Sequence, residues 1–425
     1  MRRKLIAFST ATFSSLSIRN YRLYFIGQGI SITGTWMQGI GLSWLVLHLT
    51  GSGTALGIVA ALQCAPMLII GSWGGTVAER MSKRRLLIIT QSLLALSALA
   101  IGLAVAFDFV SLPLVFVFAA GLGVVSAIDY PARQTFVHDL VGPEHLASGI
   151  GLTSAEINLG RIVGPALASI VIATIGTAAC FLLNAVSFLA VISCLLMMRS
   201  RELHRSEQPV PEDATVRAGL VYARRTPAIL APVLMMAIIG VFTFEFSVSL
   251  PLLAKFGFNG DAGSLGWLMS AMGVGAVIGG IITAGRRGDG LNRVAWAALG
   301  FGVATSIVAA APTLAIAAVL MVPVGIFSSR FTALSNTIIQ LKSEPQFRSR
   351  MMALWSVAFI GSSLVGGPLV GALGQHFGAH ASLAVGVVGG VLGGAVGWWG
   401  HVATARQEAE RSSSEPSLAS SEAAA

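Results

Sequence analysis

Of the 27 Lys and Arg residues in this chain, all but three fall into one alternating set of segments: the N-terminus, every second connection between apolar stretches, and the tail. Lys255 alone lies in the opposite set, and Arg161 and Arg330 lie inside apolar stretches. Short cytoplasmic connections retain Lys and Arg, so the alternation predicts a chain threaded through a bilayer twelve times with both termini cytoplasmic. A mean hydropathy of +0.80 agrees, as do 55% apolar and 11% charged residues. A soluble domain must cover its surface with polar groups, whereas lipid accepts this composition. Each span needs about 20 residues to cross roughly 30 Å of hydrocarbon. The spans are predicted to start near Tyr21, Thr54, Arg84, Leu112, Ser148, Thr177, Ala228, Gly263, Leu291, Thr313, Arg350 and Ala379.

That makes an all-α, multi-pass protein of the inner or plasma membrane, with the lipid bilayer as its first partner. The net charge of +9 sits on Arg residues at span ends, where it anchors topology, so no nucleic acid is implied as a partner. Cys64, Cys180 and Cys194 fall within apolar spans without a CxxC pair, and the seven His residues lie mostly at loops or span ends. Neither set makes a metal site or a disulfide framework. No GxxxxGK[ST] run is present to cradle ATP, and no nucleophile, base and orienting group form an array. The reading is therefore a non-enzyme without metal or cofactor. The basic N-terminus reads as an uncleaved interfacial segment.

A hydrophilic stretch over residues 199–226 divides the chain into an N-terminal half, 1–198, and a C-terminal half, 227–402, of six spans each. Pro209 and Pro211 make the first part of that stretch a flexible linker, and TVRAGLVYARR at its end reads as a short helix on the inner membrane surface. The tail, 403–425, is rich in Ser, Glu and Ala and is expected to be disordered. The halves share punctuation. Gly164-Pro165 recurs as Gly367-Pro368 at an offset of 203, Pro143-Glu144 as Pro345-Gln346 at 202, and Gly75 as Gly280 at 205. Together these predict a duplicated six-helix unit, an arrangement that in transporters binds substrate between the repeats near the midplane.

After the second span the chain reads GTVAERMSKRR, bringing Gly75, Glu79, Arg80, Lys83 and Arg84 together. The fifth span carries Gly151, Gly160 and Gly164-Pro165. The first resembles the cytoplasmic loop signature of the major facilitator superfamily, with Ser82 where Gly is usual and Glu79 for the commoner Asp. The second resembles that superfamily's antiporter motif, although the final Gly-Gly is replaced. With SIRNYRLYFIGQGIS, LTGSGTALG, NLGRIVGP and FRSRMMAL, the pattern resembles the exporter branch containing the enterobactin exporter and macrolide efflux proteins, over about residues 15 to 400. The resemblance implies two pseudo-symmetric six-helix bundles, a monomer, and a central cavity lined by spans one, four, seven and ten.

The loop motif reads physically as a latch, in which acids cap helix ends and bases bridge to acids on the next helix, with Asp129 and Arg133 as partners. The alternative is plain topology anchoring. On span five, Thr153, Glu156, Gly160 and Gly164 share a face that lets another helix approach, either to slide or simply to pack. Charges inside the bilayer must face protein or water, which singles out Asp129, Glu156, Arg161, Glu245 and Arg330. Tyr24, Gln28, Ser31, Thr35 and Gln38 fall within about 80° on span one and form a polar stripe. Ser154, Asn158 and Arg161 form another on span five. Arg161 either contacts an anionic ligand group or makes a structural ion pair, with Glu156 or with an acid elsewhere. Glu156 and Glu245 are the proton candidates, with Glu245 alternatively paired to Arg330. The leading function is proton-coupled export of a small amphipathic organic molecule, siderophore or drug-like, by rocking of the halves; uptake by symport and a non-transporting receptor are the alternatives.

Overall fold

The computed structural model describes residues 13–204, 216–284 and 290–422; the side chains of Ser72 and of residues 74–80, 216–218, 284 and 411–422 lie outside the description. Among the described residues the chain is all helix, without strands. Helices α1 (Arg19–Thr50), α2 (Gly53–Arg80) and α3 (Lys83–Ala106) are followed by α4 and α5, which together occupy Leu112–Thr174 and part at Gly142. Gly142 has φ of 66°, a left-handed conformation that favours Gly, and Pro143 then opens α5. Next come α6 (Thr177–Met197), the short α7 (Val216–Arg225), and one span in two pieces, α8 (Pro227–Phe242) and α9 (Phe246–Leu252). The remainder is α10 (Ala262–Ala284), α11 (Leu291–Ala309), α12 (Leu314–Lys342), α13 (Arg348–His376), α14 (Ala381–Ala384) and α15 (Gly386–Glu422).

Among the described residues, ten helical segments are long and apolar enough to cross a membrane. One of them, Leu112–Thr174, holds two spans, and α1 is a further full-length helix with a more polar sequence. Most expected starts fall within two residues of the observed ones; the exception is span five, whose helix begins near Pro143 rather than Ser148 because the turn at Gly142 is tight.

One segment departs from expectation. The tail, 403–425, is helical up to Glu422, continuing α15 without a break. Ala, Gln, Glu and Arg propagate a helix that already exists, because only the first turn is costly to nucleate. Lys342 on α12 anchors the extension through Glu408 at 3.1 Å, and Gln407 donates to the Arg225 carbonyl. The end of the linker forms the short helix α7; Tyr222 stacks on Phe347 and its hydroxyl accepts the Glu344 N–H. The rest of the linker, like residues 1–12, lies outside the described residues.

The end of the bundle bearing Lys83, Arg84, Arg133 and Arg199 is here called the basic end. The two halves meet towards the opposite end. There α2 crosses α13 backbone to backbone: a methyl on Gly57 would overlap the Gly367 carbonyl, and one on Gly371 the Gly53 carbonyl. Likewise α5 lies on α10, with Gly266 against Pro165 and Ser169. Every hydrogen bond described between the halves is in this region. Ser52 and the Thr54 N–H share Gln375 Oε1, Ser43 donates to the Ser247 carbonyl, Ser169 to Ala262 and Ser270 to Ile162. Lys255, in a π-turn at the end of α9, donates to the Leu47 carbonyl at 2.7 Å beside the Trp44 ring.

The repeated punctuation has structural counterparts shifted by one residue. Gly164 lets α5 approach the Thr33 carbonyl of α1, and Gly366, rather than Gly367, lets α13 approach the Val241 carbonyl of α8. Small residues at these points let main chains touch without side chains between.

Candidate functional site

The N-terminal half contributes a polar wall. α1 packs on α6 through Gly27, Gly34 and Gly41 and on α5 through Gly29, Thr33 and Trp36. Helical spacing turns Tyr24, Gln28, Ser31 and Thr35 to the remaining interior side. Thr35 is exposed and donates to the Ser31 carbonyl. Tyr24 is buried edge-on to Phe136, and neither its hydroxyl nor Gln28 Nε2 has a hydrogen-bond partner among the described residues. Gln38 leaves the stripe, because Asn184 on α6 donates to its Oε1 at 2.8 Å. On α5 the side between the α1 and α10 contacts carries Ile150, Ser154, Ile157, Asn158 and Arg161, with Ile150, Ser154 and Ile157 exposed. Asn158 donates to the Ser154 carbonyl in its own helix. Arg161 stacks 5.2 Å over Trp36, and its Nε has no partner among the described residues.

The antiporter-like glycines divide by position. Gly160 and Gly164 form the face on which α1 lies, and Pro165 faces α10. Gly151 faces open space and takes no part in that contact. Glu156, on the same side as Gly160, is buried at 7% exposure against Gly29. Both of its carboxyl oxygens are without hydrogen-bond partners, and no ion pair joins it to Arg161 among the described residues.

The C-terminal half contributes an aromatic wall. Thr243, Phe244 and Glu245 interrupt the span between α8 and α9. Phe244 at the break meets Phe301, Phe331 and Phe359, and Phe359 stacks on Trp355. Phe359 is 40% exposed, and Trp355 Nε1 is buried without a hydrogen-bond partner among the described residues. Where the walls converge lies a cavity of about 110 Å³ bounded by Trp36, Ser43, Gln63, Ser247, Pro251 and Met269, among others.

Glu245 turns away from that cavity into the packing of α13, its Cγ near Gly366. Ser363 approaches its carboxyl, and Oε1 has no hydrogen-bond partner among the described residues. The expected alternative, a pair with Arg330, is not formed: Arg330 points into a separate pocket between α10, α11 and α12. Helical phase explains the separation, since Arg330 shares the α12 face of Leu334 and Phe327 rather than that of buried Phe331.

The basic-end latch is only partly as expected. Asp129 and Arg133 do pair, through Nη2 and through Nε at 3.0 Å. Asp129 also accepts from Thr90 and Gln91 on α3, at 2.6 and 2.9 Å. Lys83 reaches past them to Asp139 at 2.9 Å. Arg84 clamps the last turn of α6 by donating to the Leu195 and Leu196 carbonyls, at the negative end of that helix where carbonyls run out of i+4 backbone donors. The side chains of Glu79 and Arg80, and the surroundings of Gly75, lie outside the described residues. Asp139 and the pair Thr90 and Gln91 were invisible to spacing, being far from their partners in sequence. The run Phe242, Phe244, Phe246 was the one available hint of the aromatic wall.

Residues 10–423 match the family described as transmembrane secretion effector. The chain belongs to that family. It is 28% identical to the multidrug efflux pump Tap of Mycolicibacterium fortuitum, over 82% of this chain and 87% of Tap. Identity to the staphyloferrin A transporter of Staphylococcus aureus is also 28%, but the match spans 60% of this chain and 65% of that relative, just under two thirds. The enterobactin exporter EntS of Shigella flexneri is 22% identical over 83% of this chain. In fold, this secretion-effector chain is similar to a bacterial homologue of the human lysosomal transporter Spinster solved in an inward-facing, unoccupied conformation, with a TM-score of 0.75, 16% identity, and 92% and 98% of the two chains covered. A D-xylose–proton symporter aligns at a TM-score of 0.69 and 13% identity, covering 88% and 97%. The fold is that of the major facilitator superfamily, and the chain is a secondary transporter of that type.

Proposed function

We propose that this protein exports a small amphipathic organic molecule from the cytoplasm in exchange for protons. The observation that carries the reading is the unlikeness of the two walls. On one side Thr35 and Ser154 are exposed beside Arg161 and the buried Gln28, and on the other Phe359 is exposed beside Phe244 and the buried Trp355. A molecule with one polar and one apolar face satisfies both at once, as ligand sites built on apolar contact with a few directional polar groups do. The charge alternation favours a cytoplasmic basic end. The conformation would then be open inward and shut outward by the α2–α13 and α5–α10 contacts, ready to load from inside. The efflux pumps among its relatives support export over uptake.

Glu156 is the proposed proton carrier. An uncompensated buried carboxylate costs several kcal/mol, and a proton removes that cost. Rocking of α1 on the Gly160 and Gly164 face would change its access to water. Glu245, packed into the closed end, is a second proton acceptor that only opening of that end would expose.

Arg161 favours one substrate class within this reading. A guanidinium at the converging end of the polar wall, with Nε uncommitted, suits the carboxylates of a siderophore, which is also the substrate class in one relative's name. Accumulation of catecholate and carboxylate siderophores, macrolides and cationic dyes in cells expressing the protein, with and without a protonophore, tests both parts. Expression is expected to lower accumulation of at least one class, and the protonophore to restore it. Unchanged accumulation of every compound would remove the export reading, and loss of cationic dyes alone would remove the anionic preference.

A further inference from the structure

The break between α8 and α9 gathers main-chain oxygens around a buried carboxylate. Where α8 stops, the Phe244 N–H turns back to the Ile239 carbonyl at 3.1 Å, and the Phe246 N–H bonds the Phe244 carbonyl at 2.8 Å. A continuous helix would give those two donors to Gly240 and Phe242. The four carbonyls from Gly240 to Thr243 consequently accept no hydrogen bond among the described residues. They stand at the negative end of α8. Within a membrane such groups have to be satisfied inside the protein, and Thr243, Glu245 and Phe246 are all buried.

Glu245 is 3% exposed. Its Oε1 has no hydrogen-bond partner among the described residues, and no ion pair there includes it. A methyl added at Gly366 on α13 would sit 2.6 Å from the Val241 carbonyl oxygen and 3.0 Å from Glu245 Cγ, so the carbonyl and the acidic side chain flank the same point. Ser363, a turn earlier on α13, approaches both that carboxyl and the Cys64 thiol of α2. The neighbouring hydroxyls are committed, Thr243 to the Gly386 carbonyl and Ser362 to the Phe359 carbonyl. The cluster therefore combines one acidic group with several neutral oxygens. A proton on Glu245 removes the charge but leaves the carbonyls unmet, whereas a cation satisfies both. Hard oxygen donors with a single carboxylate suit a monovalent metal ion, and carbonyls freed by interrupted helices hold sodium in this way. A point that one methyl already crowds admits no organic ammonium group, but a bare ion approaches oxygen more closely than carbon does.

We propose that Glu245, Ser363 and the carbonyls at the end of α8 form a sodium site, which opens to water when α2 parts from α13. The site goes beyond the proton role given to Glu245 above, since sodium and a proton compete for the one carboxylate. Cys64 is the other titratable group facing it among the described residues. The site lies outside the cavity between the walls and stands whatever molecule is exported.

Equilibrium binding of radioactive sodium to the full-length protein in neutral detergent, at constant ionic strength, is the test. It needs neither a gradient nor an exported molecule, so its failure would leave the export reading standing. Saturable binding of one sodium per chain is expected, with choline and potassium at equal concentration unable to displace it. Glu245→Gln is expected to abolish binding, and Ser363→Ala to raise the half-saturating sodium concentration about tenfold, the effect of one lost contact to a charged group. Glu344→Gln, which removes an exposed carboxylate ahead of α13, is expected to leave binding unchanged. No saturable binding to the natural protein, or unaltered binding in both site variants, would overturn the site. Displacement by equal potassium would overturn the assignment to sodium. Should Glu245→Gln fail to fold, Ser363→Ala decides alone.

Discussion

Single residues carry the chemistry, and two carboxylates with opposite surroundings show how. Asp129 is saturated: Thr90, Gln91 and both donors from Arg133 converge on it. Asp129→Ala leaves the Arg133 guanidinium without its counter-charge, and removing one partner of a buried pair costs about 3–5 kcal/mol. A marked fall in melting temperature in detergent is the expected outcome, with α3 and α4 loosened at the basic end. Glu156 is the reverse case, since nothing described satisfies its oxygens. Glu156→Gln is therefore expected to leave the melting temperature unchanged or higher while abolishing protonophore-sensitive efflux; a variant that melts early and still exports would remove Glu156 as the carrier. The sequence made these residues visible because a charge in an apolar run is conspicuous. Their partners were not visible, because Asp139, Asn184 and Trp36 reach their contacts through tertiary packing that local spacing does not encode.

At the scale of elements, helix ends and crossings decide what can move. Asp261 and Ser264 cap the start of α10 reciprocally: Asp261 Oδ1 accepts the Ser264 N–H at 2.9 Å, and Ser264 Oγ accepts the Asp261 N–H at 3.3 Å. The Ser264 backbone and hydroxyl hold the Asp261 carboxyl below its usual range. A lowered carboxyl stabilises the fold above the unfolded-state value and loses that effect as pH falls through the folded one. The cap is thus intact at neutral pH and fades below about pH 4. Asp261→Ala is expected to cost about 1 kcal/mol at pH 7, and the difference from the natural protein should shrink in acid melts. The crossing of α2 and α13 leaves no room for a side chain at Gly57. Gly57→Val is expected to cut efflux at least tenfold and to abolish disulfide cross-linking between cysteines placed at Thr54 and Gln375; efficient cross-linking in that variant would show the crossing to be more yielding than its geometry implies. Element positions were largely readable, since twenty-residue apolar runs end where Gly, Pro and charge accumulate. The break at Phe244 was not, because an interrupted helix and an intact one present the same apolar composition.

For the whole molecule, the exceptional Lys255 acquires a role that topology could not give it. It ties the end of α9 to the last turn of α1, across the two halves, and so exists only while that end is shut. Lys255→Met removes a charge-assisted bond worth about 1.5–3 kcal/mol. It should shift the resting population towards the opposite opening, read as faster labelling of a cysteine at Ser247 by a membrane-impermeant reagent added outside; unchanged labelling would reduce Lys255 to a packing residue. The twelve-span frame and its duplication were legible because both are written in period and punctuation, whereas which end is closed depends on contacts between distant segments. Where those segments touch at Gly53, Gly57, Gly367 and Gly371, main chain meets main chain. Closing this glycine crossing therefore freezes no side-chain rotamers of its own, a loss that reaches about 1.5–2 kcal/mol for each long side chain ordered. Repeated closure carries little entropic penalty at this seam, so the temperature dependence of cycling should reflect the displacement of helices rather than a search among side-chain conformations.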